Sequence, residues 1–97
     1  MKLTKLEIYI GHNNKTKKRI SEAKLIKFLD SKFKGYTIYK TKGLYKGNIE
    51  LSYKIEYIKF DYKMLTGIRY FKNIKKEMEL EFKQEEILFL TSEVNTI

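Results

Sequence analysis

Apolar and polar residues alternate strictly over positions 49–57, which is the most regular pattern in the chain. A period of two is typical of a β-strand with one buried face. At about 3.3 Å per residue, the segment 49–60 is long enough to cross a small domain, so we predict a central strand. The alternation shifts after Tyr57, which predicts a bulge or the end of the strand there. The apolar positions are Ile49, Leu51, Tyr53, Ile55 and Tyr57.

The same reasoning places three further strands and two helices. Ser21 has the side chain of a helix N-cap, and Gly35 is placed to end that helix in a left-handed conformation. Two glycines at 42–48 predict a hairpin turn into the central strand. The predicted strands are 3–10, 36–41, 49–60 and 87–91, and the predicted helices are 21–34 and 61–82. The predicted inward stripes are Leu25, Ile26, Leu29 and Phe33 in the first helix and Met64, Ile68, Phe71, Ile74, Met78 and Phe82 in the second.

The order of these elements predicts a single α+β domain over 1–97 with the ferredoxin-like βαββαβ arrangement. Its antiparallel sheet has four strands, with two helices on one face and strands one and three in the middle. The helix-covered face is predicted to hold Leu6, Ile8, Ile10, Ile38, Leu51, Tyr53 and Ile55. The open face is predicted to show Glu7, Tyr9, Thr37, Tyr39, Glu50, Ser52, Lys54 and Glu56.

Composition excludes several kinds of site. The 97 residues contain no Cys and one His, which excludes disulfides, thiolate catalysis and a histidine metal cluster. We expect no metal and no cofactor. The longest apolar run, 87–90, is too short to span a bilayer, and Glu7 interrupts the short apolar run near the N-terminus, so we expect a cytoplasmic protein of a bacterial host.

Charge is distributed unevenly along the chain. Residues 1–76 carry twenty Lys or Arg and six Asp or Glu, whereas residues 77–97 carry one Lys and six Glu. The basic part favours anionic partners. A low-GC coding bias would produce the same abundance of Lys beside Ile, Asn and Tyr.

Several short motifs resemble a small bacterial and phage family catalogued only as a domain of unknown function. The resemblance implies a ferredoxin-like fold and no assigned chemistry. The motifs are I-Y-I-G at 8–11, I-S at 20–21, F-x-G-Y-T-I at 33–38, G-L-Y-K-G at 43–47, E-L-S at 50–52 and F-K-Q-E-E-I-L at 82–88.

A basic loop precedes the first helix, whose free N–H groups favour an anion. A phosphate or nucleotide could bind there, with His12 beside it and tyrosines lining the pocket. The alternative is a solvated loop with an inert histidine. The candidate anion ligands are Lys15, Lys17, Lys18, Arg19, His12, Tyr39 and Tyr45.

RNA recognition through the sheet is disfavoured. Base stacking needs exposed aromatic residues on both central strands, and only the first offers one, Tyr9. The third strand shows Glu50 and Glu56, which repel phosphates. Non-specific binding of a nucleic acid backbone by the basic loop and first helix stays open.

Self-association is a further possibility. Leu88 and Leu90 are predicted to lie on the open face near Tyr9, where a two-fold pairing of open faces would bury them. In such a homodimer Glu50 and Glu56 would meet Lys54 of the other chain. Alternatively, residues 91–97 fold back and cover the patch.

These observations favour a small accessory binding protein of a bacterium or phage that binds a partner protein or an anionic ligand without catalysis. Adjacent Glu85 and Glu86 would point to opposite sides of a strand, so no carboxylate pair is evident. One alternative is a phage-type inhibitor that captures a nucleotide in the basic, tyrosine-lined pocket. Another is a non-specific nucleic-acid-binding protein.

Overall fold

The structure is a computed structural model, which describes residues 2–12, 18–59 and 64–97. Its strands are β1 (Lys2–Ile10), β2 (Thr37–Tyr45), β3 (Asn48–Lys59) and β4 (Leu88–Asn95), and its helices are α1 (Glu22–Asp30) and α2 (Met64–Glu81). No helix in these ranges is both long and apolar enough to cross a membrane.

The four strands form one antiparallel sheet in the order β2-β3-β1-β4. This confirms the predicted α+β, ferredoxin-like architecture with strands one and three in the middle. In the register of the sheet, Ile8 of β1 lies between Ile55 of β3 and Phe89 of β4. Because side chains alternate along a strand, this register puts the apolar residues of the central strands on one face.

The core lies between that face and the helices. It is apolar throughout, since no described buried residue is polar or charged. Ile26 and Ile68, predicted to point inward, are exposed, because each helix turns only a narrow stripe toward the sheet. The buried cluster comprises Leu6, Ile8, Ile10, Ile20, Leu25, Leu29, Phe33, Tyr53, Ile55, Phe71, Ile74, Met78, Phe82 and Ile87.

Helix α1 begins as predicted and ends earlier than predicted. The Ser21 hydroxyl accepts a hydrogen bond from the Lys24 backbone N–H, which satisfies one of the free donors of the first turn. The helix ends at Asp30, and Ser31 caps it with a right-handed backbone conformation. The predicted left-handed cap at Gly35 is therefore wrong.

Strand β2 is longer than predicted, and with β3 it forms a projecting ribbon. They are joined by the two-residue turn Lys46–Gly47, whose φ angles of 50° and 79° are those of a type I′ hairpin. Pairing with β1 ends where Ile10 meets Tyr53, so residues 41–52 pair only with one another. We call this ribbon the arm. The predicted bulge after Tyr57 is wrong, because β3 stays paired with β1 as far as Lys59.

Strand β4 runs along β1 from Leu88 to Asn95, with Leu3 opposite Val94. Residues 91–95 thus extend the sheet at its edge. The alternative in which this segment folds back over the open face is wrong. Leu88 and Leu90 stay uncovered on that face.

Replacing Gly67 by Ala is expected to stabilise the protein. Gly67 lies in the first turn of α2, its φ is not positive, and an added Cβ would meet no atom within 4 Å. Alanine lowers the backbone entropy of the unfolded chain, so the free energy of unfolding should rise by about 0.5–1 kcal/mol. Urea unfolding followed by circular dichroism measures this. A matched Gly47→Ala variant should instead lose stability, because the φ of Gly47 is 79°.

Candidate functional site

An open groove lies at the end of the sheet beside Gly11, the residue that follows β1. Its volume is about 480 Å³, within the usual range of small-molecule sites. Three strands and the segment between α2 and β4 contribute to it, so residues far apart in sequence meet there. The lining residues are Tyr9, Ile10, Gly11, Glu50, Ser52, Gln84, Glu86 and Leu88.

The Glu50 carboxylate lies directly over Gly11. A Cβ placed on Gly11 would come within 2.5 Å of Glu50 Oε1, so only glycine leaves the carboxylate in this position. Within the described part of the chain, Glu50 has neither a hydrogen-bond nor an ion-pair partner. Its carboxylate therefore faces the groove with no counter-charge from the residues that the structure describes.

A second carboxylate, that of Glu86, lines the same groove from the segment that precedes β4. Its Oε1 lies 3.6 Å from the Lys75 ammonium of α2, and most of the side chain is exposed. Of the described residues that line the groove, none is a lysine or an arginine. The two carboxylates make the groove suited to a cationic ligand, and the apolar surfaces of Tyr9 and Leu88 add contact area.

The orientation of Tyr9 is set by a charged network on the open face. Its hydroxyl donates a hydrogen bond to Glu7 Oε2 at 2.8 Å, and the Lys54 ammonium lies 5.8 Å from its ring centroid. The hydrogen bond raises the pKa of Tyr9 and lowers the pKa of Glu7. Lys54 also lies 3.0 Å from Glu56, and that hydrogen bond raises the pKa of Lys54.

Two further contacts fix the groove walls. The Gln84 side chain donates from Nε2 to the His12 carbonyl oxygen at 3.0 Å, which ties the segment before β4 to the end of β1. Ser52 and Thr41 share a hydrogen bond of 2.7 Å between their hydroxyls across β2 and β3. Both contacts join segments distant in sequence, so the groove is part of the folded framework.

Those predicted anion ligands that the structure describes do not lie together. Lys15 and Lys17 lie outside the described residues, as does the side chain of Tyr45. Arg19 donates from Nη2 to the Thr41 carbonyl oxygen at 3.2 Å, which joins the segment directly before α1 to β2. Tyr39 lies on the open face with Lys54 above its ring.

The remaining two candidates do not share a described contact with Arg19 or Tyr39. Lys18 is exposed, and the His12 ring nitrogen Nδ1 is buried without a partner among the described residues. The described geometry thus gives no common pocket for these side chains.

The predicted interface residues lie on the open face as expected, and Lys54 is ion-paired within its own chain. It forms ion pairs with Glu56 at 3.0 Å and Glu7 at 3.3 Å within its own chain. These residues are neighbours because Glu7 lies opposite Glu56 in the register of β1 and β3. The pairing of Lys54 with Glu50 and Glu56 of another copy stays a prediction.

Sequence reasoning missed the groove itself. It noted Tyr9 and Glu50 as interface residues and found no carboxylate pair, because Glu50 and Glu86 are far apart in sequence. Gly11, Ser52 and Gln84 were not singled out. The alternation of β3, which puts Glu50 and Ser52 on one face, was the only local signal for this site.

Comparison with known proteins finds similarity at the level of structure. No protein-family model matches the chain, and no curated protein sequence matches it. An apo phage SAM lyase superposes with a TM-score of 0.75 at 19% identity, covering 93% of this chain and 79% of that chain. A phage SAM lyase in complex with S-methyl-5'-thioadenosine superposes with a TM-score of 0.70 at 21% identity, covering 94% and 81%. The chain shares the fold of these phage enzymes.

This finding corrects our expectation of function. The predicted non-catalytic binding protein, with its alternatives of a nucleotide-capturing inhibitor and a nucleic-acid binder, is contradicted by this comparison, since the phage proteins on which the chain superposes are SAM lyases. The error came from equating catalysis with Cys, His pairs or adjacent carboxylates. The resemblance to a domain of unknown function stays a prediction.

Proposed function

We propose that the chain is an S-adenosylmethionine lyase that acts in the groove beside Gly11. The observation that carries this proposal is the superposition on phage SAM lyases over more than nine-tenths of the chain. Fold alone does not specify chemistry, so the proposal also needs a site whose charge suits the substrate. The acidic groove is such a site, because the substrate carries cationic groups.

The reaction is compatible with a chain that has no Cys and a single His. S-adenosylmethionine carries a sulfonium, which is an activated leaving group. Release of S-methyl-5'-thioadenosine breaks the bond between sulfur and the amino acid fragment, and the electron pair stays on sulfur, which becomes a neutral thioether. The fragment completes its valence by closing its own carboxylate oxygen onto that carbon, or by forming a double bond as a neighbouring proton passes to a carboxylate of the groove or to water.

This chemistry sets out what the protein must supply. No nucleophilic side chain is consumed, so the main contribution of the protein is to position the substrate. In the groove, Glu50 and Glu86 would hold the cationic groups of the substrate, and Tyr9 and Leu88 would contact the adenosine part. We assign Glu50 to the substrate ammonium, because that charge persists through the reaction whereas the sulfonium charge is lost.

The direct test is incubation of the purified protein with S-adenosylmethionine, followed by chromatography of the products. The expected result is formation of S-methyl-5'-thioadenosine at a rate proportional to enzyme concentration, with an equal amount of the amino acid fragment. A parallel reaction with S-adenosylhomocysteine, which has a neutral sulfur, should give no product. Absence of S-methyl-5'-thioadenosine above the spontaneous rate would overturn the proposal.

A further inference from the structure

Tyr9 belongs to a row of side chains that crosses the open face of the sheet. In the register of the strands, Tyr9 lies between Lys54 of β3 and Leu88 of β4, and Tyr39 of β2 lies beyond Lys54. The Lys54 ammonium lies 5.8 Å from the ring centroid of Tyr9 and 5.7 Å from that of Tyr39. Tyr9 also lines the groove, as does Glu50 of the arm. The Tyr9 ring thus joins the charged network of the open face to the groove.

The hydroxyl of Tyr9 is anchored by Glu7, to which it donates a hydrogen bond of 2.8 Å. Glu7 precedes Tyr9 by two residues on β1 and Gly11 follows it by two, so this bond draws the hydroxyl along the strand and away from the Gly11 end of the groove. The acceptor is a carboxylate, and hydrogen bonds to ionised groups are shorter and stronger than those between neutral groups. The ring therefore has a fixed orientation before any ligand binds.

Glu7 and Glu56 lie opposite each other on β1 and β3 and share one cation. Lys54 lies 3.3 Å from Glu7 and 3.0 Å from Glu56, and the two glutamate side chains are 20% and 21% exposed. Their other contacts differ, because the Tyr9 hydroxyl donates to Glu7, whereas Glu56 pairs with Lys5 at 3.7 Å. The two carboxylates thus have similar surroundings, and the contact with Tyr9 distinguishes Glu7.

We infer that Glu7 is a positioning residue that orders the Tyr9 ring for the adenosine part of the substrate. This inference rests on the proposed lyase function, in which Tyr9 contacts that part. A ring that is fixed before binding loses little rotamer freedom when the ligand arrives, whereas a free ring must be ordered at that step, which weakens binding. Glu7 is not among the described residues that line the groove, so it acts through Tyr9.

Replacing Glu7 by Ala is expected to raise two constants by the same factor, about threefold to tenfold. These are the KM for S-adenosylmethionine and the Kd for S-methyl-5'-thioadenosine, because the adenosine part is common to both molecules. The value of kcat should stay unchanged, since the ring contacts the same part of the substrate in the ground state and in the transition state. Initial rates give the kinetic constants, and titration calorimetry gives the affinity for the thioether.

Replacing Glu56 by Ala is the matched control. It removes a carboxylate of the same exposure from the same cation, but it leaves the bond between Tyr9 and Glu7 in place, so both constants should stay unchanged. Either single variant leaves Lys54 paired with the remaining glutamate, so no unpaired charge is created on the sheet. Circular dichroism and urea unfolding check that both variants are folded.

A double-mutant cycle tests whether Glu7 acts through the hydroxyl. Tyr9→Phe keeps the ring and removes the donor, so it should weaken thioether binding by about the same factor as Glu7→Ala. The two substitutions combined should weaken binding no more than either one alone. A merely structural role of Glu7 would instead give additive losses, and additive losses would overturn the inference.

Thioether binding needs no turnover, so it separates the inference from the proposed function. A wild type that binds S-methyl-5'-thioadenosine but does not cleave S-adenosylmethionine would overturn the lyase activity alone. Unchanged thioether binding in Glu7→Ala, or equal weakening in Glu56→Ala, would overturn the positioning role alone. A wild type that does not bind the thioether would overturn both.

Discussion

Replacing Glu50 by Gln is expected to lower kcat/KM for S-adenosylmethionine by roughly tenfold to a hundredfold, because a hydrogen bond between a carboxylate and an ammonium contributes about 1.5–3 kcal/mol. The loss should be mainly in KM, since the ammonium charge is the same in the ground state and in the transition state. Initial rates over a range of substrate concentrations separate the two constants. Glutamine has nearly the same shape, so the fold should be retained.

The binding of S-methyl-5'-thioadenosine sharpens this prediction. The thioether has neither the ammonium nor the sulfonium of the substrate, so its affinity should change less than about twofold in Glu50→Gln. Titration calorimetry measures it. Glu85→Gln is the matched control, because Glu85 neighbours the groove residue Glu86 but does not line the groove. Equal weakening of substrate and thioether binding in Glu50→Gln would contradict the role assigned to the charge of Glu50.

The architecture could be predicted because its signals are local. Alternation along β3 identifies which face is buried, and the order of strands and helices restricts the topology. The Ser21 N-cap and the inward Ile87 follow from immediate neighbours in the sequence, and both are confirmed. The prediction was wrong about Ile26, which lies within one turn of buried residues of the same helix. Packing against the sheet decides which residues of that turn are buried.

The groove could not be predicted because it depends on long-range register. Gly11 and Glu50 are neighbours only because β1 pairs with β3 so that Ile10 lies opposite Tyr53. A shift of that register by one residue would turn Glu50 to the other face of the sheet. The proposed function was missed for a different reason. Its substrate carries the activated leaving group, so the enzyme needs no nucleophilic side chain. The sequence therefore shows no motif of nucleophilic residues.

Replacing Gly11 by Ala is expected to lower kcat/KM by roughly tenfold to a hundredfold, since small displacements of a positioning group can cost that much. The added Cβ would lie 2.5 Å from Glu50 Oε1, so the carboxylate must move away. The atom displaced is the end of a flexible side chain, and the φ of Gly11 is not positive, so the midpoint of urea unfolding should change little. Kinetics and urea unfolding of the same preparation measure both effects.

Two comparisons separate displacement of Glu50 from general damage. Gly35→Ala is the control, because a Cβ at Gly35 meets no atom within 4 Å, and it should leave kcat/KM unchanged. Combining Gly11→Ala with Glu50→Asp shortens the carboxylate by one methylene and relieves the contact. If Gly11 acts by positioning Glu50, the effects of the two substitutions on kcat/KM are not additive, and the double variant loses less than the product of the single losses. Additive losses would show that Gly11 affects the reaction independently of Glu50.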